Sequence, residues 1–315
     1  MAALFAVVRP ILDGLLHALK GDVVVEAGGR EQVKLKMLPR LYRPGDGDCG
    51  ICFEYAVHDA MRRGDPSILE RVEEALTACN VAGGTLSSIL FGAEKTGSQQ
   101  LIATAQEALT PESVLMYGRR GRAARLQRHI NAIAQAFRRP SARPNLPQSI
   151  SGIWKADLFL GMSDTDRWVG TSVKINPSQL EPVKGLRVGI VPVKQGESDN
   201  VFKDEQKNLV VCPLLHDANF MEVFYAGWIL VQQFIAADAK VPKEVSLPRP
   251  AEREVARQLY ARREFPVVEV IDALGPLAQP ELLDSHEKDE QLVLTRGEST
   301  VAGALVAPVG QDIAR

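Results

Sequence analysis

Residues 153–175 read IWKADLFLGMSDTDRWVGTSVKI, two apolar-rich runs around the polar centre Met162-Ser163-Asp164-Thr165-Asp166. That composition predicts a β-hairpin. With the turn centred on Asp164 and Thr165, paired residue numbers sum to one constant. Asp157 then falls opposite Ser172, and Lys174 lies two residues further along the same face. The opposite face carries Trp154, Ala156, Leu158 and Leu160 on one strand and Val169, Thr171, Val173 and Ile175 on the other. One side is therefore a core face, and Lys155, Asp157, Ser172 and Lys174 collect on a working face. A slip of one residue would scatter the grouping.

A carboxylate and a lysine held side by side on a sheet suit metal-assisted phosphodiester hydrolysis. The carboxylate anchors a hard divalent cation, Mg²⁺ or Mn²⁺, through oxygen. Beside it, the ammonium orients water or balances developing charge. The spacing D-x(14)-S-x-K, from Asp157 to Ser172 and Lys174, resembles the PD-(D/E)xK nuclease superfamily in its Ser-x-Lys form. That superfamily includes restriction endonucleases and phage-defence effectors. Lys155-Ala156-Asp157 departs from the family's Pro-Asp start, and Ser172 stands where the family usually has an acid. The resemblance spans roughly residues 50–193, with a large insertion. It implies that another acid completes the metal shell, and Glu181, in the PSQLEPV segment after the hairpin, is one candidate.

A second acid comes from YRPGDGDCGICFEYAVHDAMRRGD. The tight turn at 44–48 leads into a helix over about Gly50 to Arg63, capped by Asp48. Phe53, Val57, Ala60 and Met61 form its apolar stripe, and Glu54 and His58 share a neighbouring face. The Gly-x-x-Phe-Glu pattern at Gly50 to Glu54 resembles the helix that precedes the catalytic sheet in the same superfamily. By that resemblance Glu54 is a metal ligand alongside Asp157 and Glu181. A rival reading starts from Asp46-Gly47-Asp48-Cys49, which resembles the Asp-Gly-x-Cys of ovarian-tumour-type cysteine proteases. It makes Cys49 a nucleophile activated at a helix N-terminus, with His216 or His286 as its partner.

Charge changes abruptly after the strand SVLMY at 113–117. Arg119, Arg120, Arg122, Arg125, Arg128, Arg138, Arg139 and Arg143 follow with no acidic residue among them. Arginines at 122, 125 and 128 recur every three residues beside Leu126, Ile130, Ile133 and Phe137, which predicts an amphipathic helix with a cationic face. In a chain of net charge −2, this is the footprint expected for DNA phosphates.

Other segments place these features in an α/β chain with a mixed central sheet flanked by helices. The resemblance adds that this is a restriction-endonuclease-like core with insertions. An amphipathic N-terminal helix and two strands, DVVVEAGG and REQVKLKML, make residues 1–45. The nuclease-like core is 46–240, with a helical basic insertion at 64–150 that ends in the proline-rich linker RRPSARPNLPQS. The C-terminal extension is 241–315. Strands are expected at LRVGIVPV and NLVVCPLL, and a core helix at FMEVFYAGWILVQQFIAAD. With 45% hydrophobic and 24% charged residues the chain is globular rather than disordered. No apolar run is long enough to span a bilayer. Four scattered cysteines fit reduced thiols in a cytoplasm. The expected function is a Mg²⁺-dependent DNA endonuclease. By resemblance it acts in restriction or anti-phage defence, with protein partner subunits or as a homo-oligomer. The competing class is a non-catalytic DNA- or partner-binding subunit with a degenerate nuclease fold.

Overall fold

In the computed structural model of the chain, the described residues are 1–19, 21–38, 48–81, 83–91, 109–117, 122–125, 129, 132–133, 135–136, 139–146, 156–162, 165–182, 186–216, 219–237, 239–241 and 245–280. The hairpin organises them. Strands β4 (Leu158–Met162) and β5 (Arg167–Val173) pair antiparallel from Leu158↔Thr171 to Met162↔Arg167, the register predicted by the constant sum. Asp157 extends the ladder by one step, its N–H donating to the Thr171 carbonyl at 2.8 Å. Gly161 pairs with Trp168, and a Cβ there would meet the indole ring at 2.7 Å.

The rest of the sheet grows outward from this pair. β1 (Leu86–Leu90) lies antiparallel to β4 on one side. On the other side the two halves of β5 have different neighbours. β2 (Val114–Tyr117) runs parallel to residues 167–169, with β3 (Arg122–Arg125) antiparallel beyond it. β6 (Leu186–Val193) runs parallel to residues 170–173, followed by β8 (Leu209–Leu215) in parallel and the short antiparallel edge strand β7 (Phe202–Asp204). The result is a mixed sheet, and the fold is α/β.

One face of the sheet carries Leu158, Leu160, Val169, Val173, Val188, Ile190, Val210 and Cys212 into the main core. Helices α1 (Ala2–Ala18), α3 (Asp48–Arg63), α4 (Pro66–Ala78) and α5 (Asn219–Ala236) cover it. On α3 the buried residues Phe53, Ala56, Val57 and Ala60 recur at helical spacing, and Phe53 packs edge-on against Phe224 of α5 at 5.1 Å. Helix α4 begins at Pro66, with Asp65 accepting the Ser67 N–H at 3.0 Å as its cap. Beyond these, α6 (Pro250–Ala261) and α7 (Val267–Leu274) bring Val255, Leu259, Val267 and Val270 into the same core.

The opposite face has two smaller apolar clusters. Phe91, Phe159, Trp168, Ile133 and Leu146 form one. Leu180, Val191, Leu209 and Val211 form the other. The working face of the hairpin opens between them.

Helix α1 approaches the site-bearing helix α3 closely at Gly14, where a Cβ would lie 2.9 Å from the Cys52 Cα. Overpacking against backbone falls near the top of the usual range of about 1–3 kcal/mol, and alanine returns about 1 kcal/mol of helix propensity. Gly14→Ala is therefore expected to lose about 2 kcal/mol by urea denaturation. Unchanged stability would mean that the two helices slide apart freely.

Several expectations fail for local reasons. Residues 23–25, three valines in a row, lie in the short helix α2 (Gly21–Glu26), and 30–32 and 35–37 are 3-10 turns. No extended pair forms there, because Val25 is 78% exposed and has no sheet to pack against. The expected REQVKLKML strand survives as one bridge, Lys34↔Pro266. Arg122 and Arg125 begin and end strand β3, not a helix: every-third-residue spacing gave way to pairing with β2. Farther on, 132–133 and 135–136 are helical, with Ile133 and Ala136 buried. The proline-rich linker contains a 3-10 segment, Pro140–Asn145. With β1, β2 and β3 inside it, the stretch 64–150 is not wholly helical. Arg119, Arg120, Arg128, Arg138, His286, most of the 44–48 turn and residues 281–315 of the C-terminal extension lie outside the described residues.

Candidate active site

Asp157 sits where β4 begins and Lys174 where β5 ends, and the hairpin register brings them to one point. Asp157 Oδ2 accepts three hydrogen bonds: from Lys174 Nζ at 2.9 Å, the Val173 N–H at 2.8 Å and the Ser172 hydroxyl at 3.1 Å. Glu54 reaches the same ammonium from α3, its Oε1 3.4 Å from Lys174 Nζ. Asp157, Glu54 and Lys174 are all half-buried, with the two carboxylates 16% exposed. Four of the sequence-predicted site residues, from two regions more than a hundred positions apart, thus converge.

Burial alone would push the Lys174 ammonium down. The charges of Asp157 and Glu54, and the hydrogen bonds to them, overcome this and hold it above its ordinary value. Lys174 is therefore a cation at neutral pH.

Asp157 and Glu54 are the residues that would hold a divalent metal. Asp157 Oδ1 accepts no hydrogen bond among the described residues, whereas Oδ2 is saturated. Both carboxylates lie within reach of one Nζ, so they are separated by no more than the sum of those two distances. Mg²⁺ is commonly held by one or two carboxylates, with water and phosphate oxygens filling the remaining positions. Among the described residues no group of three or more His, Cys, Asp or Glu side chains gathers to hold a metal ion. Glu181 accordingly does not join Asp157 and Glu54 in such a group. It is exposed, just past the 3-10 turn Pro177–Gln179. Its neighbour Leu180 packs over Gly189, the ladder partner of Ser172, which puts Glu181 on the rim of the working face.

Of the cationic candidates, Arg125 pairs with Glu112 at 3.2 Å and is exposed, as is Arg139. Cys49 does not meet the requirement of a nucleophile. Burial pushes its thiol up to about 11, opposite to the lowering that a thiolate needs. His216 stacks on Tyr225 at 5.2 Å. The four cysteines are free thiols, three of them buried.

Two supports for the site were not anticipated. His58, one turn beyond Glu54 on α3, shares a 2.9 Å hydrogen bond with Ser88 of β1, tying the helix to the sheet. Asp166, at φ +48°, accepts the hydroxyls of Thr110 at 2.8 Å and Ser113 at 2.9 Å, clamping the start of β2 to the hairpin turn. The turn-forming Asp166 was visible in the sequence; its distant hydroxyl partners carried no signal.

Fold and site together define an α/β protein with an acid–amine–acid cluster at the mouth of a hairpin. Compared with known proteins, the chain matches no family model, no curated protein and no solved structure. No helix among the described residues is long and apolar enough to cross a membrane.

Proposed function

We propose that this chain is a metal-dependent endodeoxyribonuclease. The observation that carries the reading is the convergence of Asp157, Lys174 and Glu54, with Ser172 bonded to the aspartate. A Mg²⁺ or Mn²⁺ ion bound by Asp157 and Glu54 would polarise a phosphoryl oxygen and acidify a water. Ser172 and the Val173 N–H fix the Asp157 carboxylate through one of its oxygens. Lys174 is placed to orient the attacking water and to balance charge on the phosphorane-like transition state. The resemblance of the Asp157–Ser172–Lys174 pattern to restriction-type nucleases supports a role in restriction or anti-phage defence, with partner subunits or as a homo-oligomer.

A second reading has its own observation. Ser172 stands in place of an acid, and no three-ligand group forms among the described residues. A binding subunit with a degenerate site would have these features. Supercoiled plasmid incubated with Mg²⁺ or Mn²⁺ separates the two readings. The nuclease reading expects nicked or linear product from the native chain and none from Asp157→Asn or Lys174→Ala. No product from the native chain, or undiminished product from both variants, rejects it.

A further inference from the structure

Strands β5, β6 and β8 lie side by side and parallel. Their carboxyl ends therefore open on one edge of the sheet, where α/β folds commonly bind ligands. The first residue past each end is Lys174, Lys194 and His216 in turn. Backbone hydrogen bonds keep the outer two in the ladder. Lys174 N–H donates to the Ile190 carbonyl at 3.0 Å, and His216 N–H to the Val193 carbonyl at 3.0 Å. Val173 pairs with Ile190 and Val193 with Leu215, so Lys174 is level with Val191 and His216 with Lys194. Three residues along β6 and two strand spacings across set the Lys174 and His216 backbones roughly 14 Å apart.

This edge carries two features that the acid–amine–acid cluster does not use. His216 is exposed, and its ring stacks on Tyr225 of α5 with 5.2 Å between centroids and 14° between planes. An exposed ring already held in a stack is a flat surface with little freedom left to lose. Tyr225 is half-buried and supported from behind. Its ring meets Phe224 at 5.7 Å, and Phe224 meets Phe53, the neighbour of Glu54, at 5.1 Å. The stack thus rests on the same aromatic packing that seats the site-bearing turn of α3. Lys194 is exposed, with its backbone N–H bonded to the Glu197 carboxylate at 3.1 Å. Its ammonium makes no ion pair among the described residues. Rings that accept the face of any base, next to a cation for the phosphate, are the combination that holds single-stranded nucleic acid. In a duplex those base faces are covered by their neighbours.

We propose that His216 and Tyr225, with Lys194, form a subsite for single-stranded DNA, in which a base extends the ring stack on His216 and Lys194 contacts its phosphate. The choice of ligand rests on the nuclease reading. At about 3.4 Å per stacked nucleotide, roughly four nucleotides separate a base on His216 from a phosphate at Lys174, and fewer if the strand is stretched. The substrate is then a strand that is unpaired on this side of the cut.

The test is fluorescence anisotropy of the full chain with a labelled oligothymidylate of about twelve nucleotides, within the span such sites occupy. EDTA is present so that nothing is cut, and a duplex of the same length is the comparison. The native chain is expected to bind the single strand about fivefold or more tightly than the duplex. His216→Ala is expected to weaken single-strand binding about 5- to 100-fold, and His216→Phe, a flat ring without a charge, to restore it. Lys194→Gln is expected to flatten the slope of log K against log salt by about 0.7. Unchanged affinity in His216→Ala, an equal loss in both His216 variants, or a native preference for duplex overturns the subsite. An unchanged slope removes Lys194 from it. Tighter binding of an oligouridylate with the same dependence on His216 overturns the assignment to DNA. Cleavage is absent from these readouts. A chain that binds the strand through His216 but never cuts plasmid rejects the nuclease reading alone, and one that cuts with single-strand affinity unmoved by His216→Ala rejects the subsite alone.

Discussion

Under the proposed nuclease reading, replacing Lys174 with methionine is expected to lower plasmid cleavage by about 10²–10⁴-fold, the range for loss of a positioned proton-handling or charge-balancing group. The same change leaves two half-buried carboxylates facing each other without the ammonium that joined them. Removing one partner of a fully buried pair costs about 3–5 kcal/mol. Here about a quarter of the Lys174 side chain is exposed, so the expected loss is roughly 1–3 kcal/mol. The two effects separate when divalent cation is added. A cation that binds the folded variant but not the unfolded chain stabilises it by mass action, so Mg²⁺ should raise the Tm of Lys174→Met more than that of the native chain. Differential scanning fluorimetry with and without millimolar Mg²⁺ reads this directly. If Mg²⁺ leaves both proteins unmoved, the carboxylates do not bind the ion.

His58 carries the second large effect. Burial pushes its imidazole down to about 4 from 6.5, and the nearby Arg62 adds to the shift against the smaller opposing pull of Asp59 and Asp13. The folded state keeps His58 neutral where the unfolded chain is already protonated. Its contribution to stability is therefore complete above pH 6.5 and is lost as pH falls from there towards 4. The full difference amounts to up to about 3 kcal/mol. His58→Gln, which has no proton to gain, should flatten the stability profile across that window. Urea titrations of both proteins at pH 7 and pH 4.5 test it, and parallel profiles would mean that His58 protonates without strain. The bond at stake, to Ser88, also helps to seat α3, so acid should loosen Glu54 before it loosens Asp157.

The hairpin was legible because two signals agreed: alternation assigned the faces, and the polar centre set the register. Asp157, Ser172 and Lys174 followed from that register with no further assumption. Glu54 came from the resemblance of the Gly-x-x-Phe-Glu pattern; the apolar stripe of α3 said only that it lay on a neighbouring face. β1 was missed because Ser87 and Ser88 interrupt its apolar run and Gly83 and Gly84, both at positive φ, suggested a loop. The valines of α2 misled through propensity alone, as did the arginine spacing at 122 and 125 through period alone. In both cases the neighbouring element decided. Long-range partners such as Thr110 with Asp166, or His58 with Ser88, leave no trace in a local pattern.

The Asp157 carboxylate accepts a backbone N–H, that of Val173, as well as two side chains. It thereby closes the sheet where the ladder runs out, a structural duty that persists whether or not any chemistry occurs. Among related chains, an aspartate at this position would survive the decay of activity, and its presence would say little. The Lys174 ammonium bonds to the two carboxylates and not to the ladder, so under the proposed nuclease reading its loss says more about activity than the presence of the aspartate does.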